Sequence, residues 1–357
     1  MTGPCDSAGW CQRPARLLRR VSASWSNGGE RTWHCRSPAG GGIRRWAGVA
    51  LLWGVVSCVS GPVFAEGWAL VIGVNSPARF RRPDGGPIRP LKGAEQDAQG
   101  MAALLGRQPG FHPDRVILLT GADATRDRVQ QEWEGLVHRS RPGDHLVWHF
   151  SGHGTQVADR RPFDETTDQL DEALCLADSD EQGHNLLLDD DLSRWLDRRG
   201  PRDCLVILDC CHAGTGTKSD DEFLVRSLDS VSGLVPLPKG PSDPPWKELR
   251  PLEKGAHRRE ALFACQSGQQ AYERRFPHLQ NPDRGGQFTQ AFLLAFSREG
   301  ADRNADGRVT GEELRQFVNR RLHEEFNRLR DTHANRQEPE YDLESPEEPL
   351  FGPRLAR

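Results

Sequence analysis

Two short stretches carry the residue types needed for thiol chemistry. One reads D-H-L-V-W-H-F-S-G-H-G from Asp144 to Gly154, and the other D-C-L-V-I-L-D-C-C-H-A-G from Asp203 to Gly214. A cysteine thiol with a pKa near ~8.5 is mostly protonated at neutral pH and attacks a carbonyl only when a base or cation helps it ionise. The first stretch supplies a histidine, His153, between two glycines that let another group come close to the imidazole. The second supplies Cys210 and Cys211. Taken alone, each cysteine reads equally well as a small buried apolar residue. A histidine paired with a cysteine is the base–nucleophile logic of a cysteine hydrolase.

For His153 and Cys211 to meet, 58 positions apart, their preceding elements must be neighbours. Leu146 to Phe150 and Cys204 to Leu208 are apolar runs rich in branched and aromatic residues, which predicts two buried strands of a parallel sheet. Each run turns abruptly polar at its carboxyl end, where open α/β sheets gather their chemistry. The surrounding chain alternates in the same way. Strands are expected at Trp68–Val74, Arg115–Leu119 and Ala261–Cys265, and helices at Leu91–Leu105, Thr125–His138, Leu192–Leu196, Phe288–Phe296 and Arg315–Leu329. The expected fold class is α/β, a mostly parallel central sheet with helices on both faces.

The paired blocks H-F-S-G-H-G and L-D-C-C-H-A-G resemble the two signature blocks of the caspase-like cysteine peptidases, in detail those of the metacaspase type, over about Trp68 to Phe351. The resemblance implies a caspase-like fold and a cysteine endopeptidase working through a thioester. Residue by residue, His153 matches the catalytic histidine and Cys211 the nucleophile. Cys210 stands where many members have serine, and His212 belongs to the same motif, with a turn-shaping role. Backbone N–H groups near Gly154 and Cys211 would stabilise the tetrahedral oxyanion. Asp97, in L-K-G-A-E-Q-D-A, and Asp209 match the acidic residues of the first specificity pocket, and Ser151 matches a polar lining position. Such a pocket favours Arg or Lys before the scissile bond. The Q-A-C-[RQG]-G signature of enzymes that cut after Asp is absent. Singly, Asp97 also reads as a solvated helix residue and Asp209 as a turn former. The alternative of another class is a catalytically silent caspase-like module that binds peptides or partners under calcium control; legumain- and gingipain-like peptidases fit the motifs less well.

The chemistry asks for no cofactor, and Ca²⁺ is the one candidate ion. The acidic loop from Asp159 to Asp191 contains Asp171, Asp189 and Asp190, which match the calcium aspartates of the resembled family, although Lys218 stands where a further aspartate is common and Asp220 falls two positions late. A second pattern runs from residue 302 to 313. Asp302, Asn304, Asp306, Arg308, Thr310 and Glu313 fall at EF-hand loop positions one, three, five, seven, nine and twelve, with Gly307 at six. The same turn also reads as a structural device that starts the last helix.

Composition bounds the remainder. Residues 1–65 hold eight Arg against two acidic residues, a charge of +6, so with the whole chain at −4 the rest stands at −10. An acidic body argues against nucleic-acid binding through a basic surface. Residues 1–65 are expected to be a disordered extension plus a secretory signal peptide. A basic patch at Ile43–Trp46 precedes the apolar run Ala47–Val59, with cleavage after Ala65. That run is too short for a stable membrane span, and the chain is expected to be secreted or periplasmic. Cys58 offers the alternative of a lipidated start. Residues 66–357 are expected to form one peptidase domain. Its five cysteines, Cys175, Cys204, Cys210, Cys211 and Cys265, form neither a disulfide framework nor a zinc pattern. Residues 218–256, rich in Pro, Ser, Asp and Lys, read as a long surface linker. The resemblance puts processing there, with Arg226, Lys239, Arg250 and Lys254 as candidate basic cut sites. The expected partners are protein or peptide substrates with basic residues; nothing in the sequence selects an oligomeric state.

Overall fold

The computed structural model describes residues 65–352, apart from 83–84, 159–169, 212–222, 229–245, 247–248, 250–256, 267–268, 277–283 and 329–335. The expected signal segment, Cys58, His212, Lys218, Asp220, Lys239, Arg250 and Lys254 lie outside the described residues.

Six strands build the central sheet: β1 (Gly67–Gly73), β2 (Phe111–Thr120), β3 (His145–Ser151), β7 (Asp203–Asp209), β9 (Arg259–Phe263) and β12 (Glu340–Asp342). Their order is β12-β9-β7-β3-β1-β2, with β12 antiparallel at one edge and every other pairing parallel. The mostly parallel sheet expected from the apolar runs is thus present. Both of its faces are covered, as a parallel sheet requires.

Strand alternation sorts the side chains. Leu146, Trp148 and Phe150 of β3, with Val206 and Leu208 of β7, pack into one apolar layer with α2 (Arg126–Arg139) and α3 (Asp189–Asp197), through Trp133, Leu136, Leu192 and Trp195. Trp133 meets Trp148 edge to face at 5.4 Å. Val147, Leu205 and Ile207 enter the opposite layer with α1 (Ala94–Leu105), α4 (Gln287–Ala295) and α5 (Gly311–Arg328), through Ala98, Met101, Phe288, Phe292 and Val318. By the same alternation, His149 and Ser151 of β3 and Asp209 of β7 share that second side. Polar residues therefore continue the apolar rows toward the carboxyl end of the sheet, beside α1 and α4.

The expected helices and strands all appear, with ends shifted by a few residues; α3 begins at Asp189, ahead of the apolar residues that mark it in the sequence. Two small antiparallel sheets escape the sequence pattern. One joins β4 (Gly154–Ala158), β5 (Leu170–Leu174) and β6 (Leu187–Leu188), so the acidic loop contains strands. The other joins β8 (Phe223–Val225), β10 (Tyr272–Arg275) and β11 (Arg284–Gly286).

β8 corrects one expectation. It lies in the stretch 218–256 read as surface linker, yet Phe223, Leu224, Arg226 and Leu228 are buried, as are Trp246 and Leu249. Low periodicity and high proline content indicated a solvated segment. Insertion between other elements overrides that local signal. Among the described residues no helix is long and apolar enough to cross a membrane.

Candidate active site

β3 and β7 are adjacent and in register, with Ser151 opposite Asp209 and Phe150 opposite Leu208. His153 and Cys211 each stand two residues beyond the paired ends. The turn after β3 is tied down by Gly152 N–H donating to Asp209 O at 3.3 Å. Gly154 is required by closeness: a Cβ there would collide with the Cys211 carbonyl. The two loops bearing His153 and Cys211 are thus packed backbone to backbone.

Both side chains are buried, Cys211 completely. Burial pushes the Cys211 thiol up to about 12, against the opposing effects of the Ala271 backbone, the Ser227 hydroxyl and the Arg226 cation. The thiol donates to Ala271 O at 3.8 Å. Burial, and then the Arg226 cation, push His153 down to about 3, opposed only by the Arg89 backbone; neither ring nitrogen has a hydrogen-bond partner of normal geometry. These shifts favour a neutral Cys211 thiol and a neutral His153 imidazole. Cys210 is also buried, and burial raises its thiol well above the ordinary range, with Cys211 and Asp209 adding to the effect. Cys175, Cys204 and Cys265 are likewise free and buried.

Asp97, Ser151 and Asp209 converge on one occupant, Arg226 of the chain itself. All three, and Arg226, are fully buried. The guanidinium donates to Asp97 Oδ2 at 2.5 Å and to Ser151 Oγ at 2.5 Å, and stands 3.4 Å from Asp209 Oδ2. A third carboxylate, Glu273 on β10, lies 3.5 Å from it. Burial works against the guanidinium charge, but Asp209, Asp97 and Glu273 outweigh it and hold Arg226 protonated more firmly than usual. Burial raises Asp97 to about 7; Arg226 pulls it down, Asp209 pushes it up, and the Gly286 N–H and Gln290 pull it down.

Neighbouring donors hold the carboxylates in place. Gly286 N–H and Gln290 Nε2 donate to Asp97 at 2.9 and 2.7 Å. Thr289 N–H and Oγ1, in the first turn of α4, donate to Asp209 Oδ2 at 3.0 and 2.5 Å. Lys92 and Gly93 N–H donate to Glu273 at 2.8 and 2.9 Å. Gly286 closes the wall, since a Cβ there would meet Asp209 and the Arg226 guanidinium. Glu273, Thr289 and Gln290 escaped sequence reading because they sit in no motif; only their fold neighbours mark them.

The backbone around Arg226 is held as closely as its side chain. Its carbonyl oxygen accepts from Gly154 N–H at 3.0 Å and from Cys211 N–H at 3.2 Å. Its N–H donates to Ala271 O at 3.0 Å, and β8 before it pairs antiparallel with β10. After it, Ser227 bridges Gly154, and Leu228 N–H donates to Gly154 O at 2.9 Å. Residues 223–228 therefore lie extended across the ends of β3 and β7, with a basic side chain in an acidic pocket.

The comparison with known families decides the classification. The family description "Caspase domain" matches residues 66–351. The chain belongs to the caspase-domain family. The curated relatives to which it is similar include metacaspases. Metacaspase-3 of Arabidopsis thaliana is 36% identical over 134 residues, 35% of this chain and 36% of that protein. Metacaspase-2 of Trypanosoma brucei brucei is 32% identical over 175 residues, 46% of each chain. Metacaspase-1 of Arabidopsis thaliana is 33% identical over 205 residues, 54% of this chain and 49% of the relative. The chain thus covers half or less of these relatives' own length. A crystal structure of a Geobacter sulfurreducens protein shares the fold at a TM-score of 0.51 and 22% identity, covering 77% of this chain and 92% of the other.

In this caspase domain the expected calcium residues fall in two places. Asp171 on β5 and Asp189 and Asp190 at the start of α3 are close in space. Burial raises the Asp189 carboxyl well above its usual range, and Glu172, Asp171 and Asp190 add to the rise. Asp189 Oδ2 is buried without a hydrogen-bond partner. Even so, no three His, Cys, Asp or Glu side chains among the described residues are grouped as a ready metal cage.

In the 302–313 loop the oxygens turn to the loop's own backbone. Asp302 accepts from Asp306 and Gly307 N–H at 3.2 and 2.9 Å, and Asn304 Oδ1 from Asp306 N–H at 3.0 Å. Asp306 accepts from Arg308 N–H at 2.8 Å. Thr310 and Glu313 form a reciprocal capping box at the start of α5: Glu313 N–H donates to Thr310 Oγ1 at 3.2 Å, and Thr310 N–H to Glu313 Oε2 at 3.0 Å. Each of these bonds shapes the helix start.

Proposed function

We propose that this protein is a cysteine endopeptidase that cleaves after Arg or Lys with His153 and Cys211. One observation carries the reading: the chain's own residues 223–228 lie at the site as a substrate would. Arg226 fills the Asp97–Ser151–Asp209–Glu273 pocket while its carbonyl oxygen accepts from Gly154 and Cys211 N–H. In a reacting substrate the same two donors would stabilise the tetrahedral oxyanion. Three carboxylates around one guanidinium favour a cationic side chain and reject an acidic one.

The chemistry follows. A substrate takes the place of residues 223–228, its basic side chain held by Asp97 and Asp209. His153 accepts the Cys211 proton as sulfur attacks the carbonyl carbon, and the oxyanion gathers on the Gly154 and Cys211 N–H groups. The C–N bond then breaks, with His153 returning the proton to the leaving amine, and a thioester remains. Water, deprotonated by His153, attacks the thioester and releases the acid and the thiol. No cofactor enters these steps. The acidic group Asp171–Asp189–Asp190 supports Ca²⁺ as a regulator, since a divalent cation offsets the burial, and after it the repulsion, that raise Asp189.

The test uses the full chain beside a Cys211→Ala control, on coumarin peptides ending in Arg, Lys or Asp, with calcium and then with chelator. Release after Arg or Lys that vanishes in the control is expected. Release only after Asp would overturn the pocket. Cys211-independent or absent turnover would overturn the peptidase reading in favour of a binding module.

A further inference from the structure

We propose that the site also reads its substrate beyond the scissile bond, through an apolar subsite for the second residue after the cut. This rests on reading the Arg226–Ser227 bond as the one presented for cleavage. Counting from that bond, Leu228 is the second residue on the leaving side. Its side chain is buried in a cluster of its own, separate from the two layers flanking the central sheet. Phe80 and Ile88 come from the connection after β1, Val157 from β4, Cys175 from the end of β5, and Leu186 and Leu188 from the approach to α3.

Backbone bonds hold Leu228 over that cluster. Gly154 N–H donates to Arg226 O and Leu228 N–H to Gly154 O, so the leaving side runs parallel to the start of β4. Thr155 Oγ1 adds a bond to Leu228 O at 3.5 Å. This is strand addition, in which main-chain bonds set the register and a pocket accepts one side chain in two. Ser227, between Arg226 and Leu228, is only partly buried. The ligand class is therefore a polypeptide with Arg or Lys before the bond and Leu, Ile or Met two places after it. The same β4 residue that donates to the carbonyl before the cut, Gly154, also fixes the chain after it.

The test measures the full chain on internally quenched peptides Phe-Leu-Val-Arg-Ser-X-Gly with X as Leu, Asp or Lys, beside an Arg-coumarin substrate that has no residue at that place. The Leu peptide is expected to exceed the Asp and Lys peptides at least ten-fold in kcat/KM. Val157→Asp is expected to shift the preference toward the Lys peptide, a gain that misfolding does not produce. Equal rates for the three peptides, with Arg-coumarin hydrolysed, would overturn the subsite and leave the peptidase reading standing. No hydrolysis of any substrate, Arg-coumarin included, would overturn both.

Discussion

Arg226 and Asp97 lie 129 positions apart in the chain and meet at 2.5 Å with neither side chain exposed. A buried guanidinium surrounded by Asp97, Asp209 and Glu273 leaves a charge imbalance if it is removed. Truncating one partner of such a pair typically costs about 3–5 kcal/mol. In a Cys211→Ala background, Arg226→Ala is expected to lower stability by an amount of that order in urea unfolding. Asp97 already stands near 7 with Arg226 beside it, against 3.8 ordinarily. A carboxyl raised by folding stabilises the native state at low pH and loses that contribution as pH rises toward its folded value. Without Arg226 that value climbs further, so the deficit of Arg226→Ala is expected to be larger at pH 8 than at pH 5.

Self-cleavage offers a direct reading of the same contact. With Cys211 intact, the chain is expected to cut between Arg226 and Ser227, Arg226→Lys to cut at the same bond, and Arg226→Glu to leave it whole. Intact-mass measurement separates these products. Cleavage that begins elsewhere, with the bond after residue 226 untouched, would remove the substrate-like role of residues 223–228.

Asp97→Asn keeps the shape of the pocket and removes a charge. Its expected effect is a loss of about 10²–10³ in kcat/KM for Arg peptides, the scale of an unpaired buried charge. Equal activity of the variant and its parent would show that Asp209 and Glu273 suffice.

His149 is fully buried on β3 below Ser151, and burial, then Arg226, push it down to about 3 from 6.5. A histidine depressed by folding contributes stability above pH 6.5 that is lost as pH falls toward its folded value. His149→Leu in the Cys211→Ala background is therefore expected to gain on its parent between pH 7 and pH 4. The gain should be about 3 kcal/mol from 1.36 kcal/mol per pKa unit. Urea unfolding at the two pH values measures it; a constant difference would mean that folding leaves the His149 pKa unshifted.

The two acidic features are expected to behave oppositely toward calcium. Asp189→Asn should raise the melting temperature in chelator, because it removes a buried carboxylate that its neighbours repel, and should abolish any rise on adding calcium. Thr310→Ala should cost about 1 kcal/mol, the usual worth of a helix cap, equally with and without calcium.

Much of the architecture was legible in the residues themselves. Strand β7 announces itself in C-L-V-I-L and β3 in L-V-W-H-F because a sheet buried on both faces demands continuous apolar runs, and the polar turn that follows each marks the carboxyl end. Asp97, Ser151, His153, Asp209 and Cys211 could be named before their contacts were known, since the motif order carried them. The short strands β4, β5, β8 and β10 could not, because so few residues leave no period to read.

Tertiary structure alone decided the rest. A proline- and serine-rich stretch with basic residues is compatible with a solvated linker, and the three apolar residues Phe223–Val225 are too short a run to overrule that reading. What draws Arg226 inward is a pocket assembled from α1, β3, β7 and β10, whose carboxylates are far apart in the chain and become one charge only when the sheet closes. Likewise, spacing marks Asp302, Asp306 and Glu313 as oxygen donors, and only the fold shows that their oxygens also accept from nearby backbone N–H groups. Spacing determines which groups can meet; the bonds they form depend on which donors the packed backbone leaves open to them.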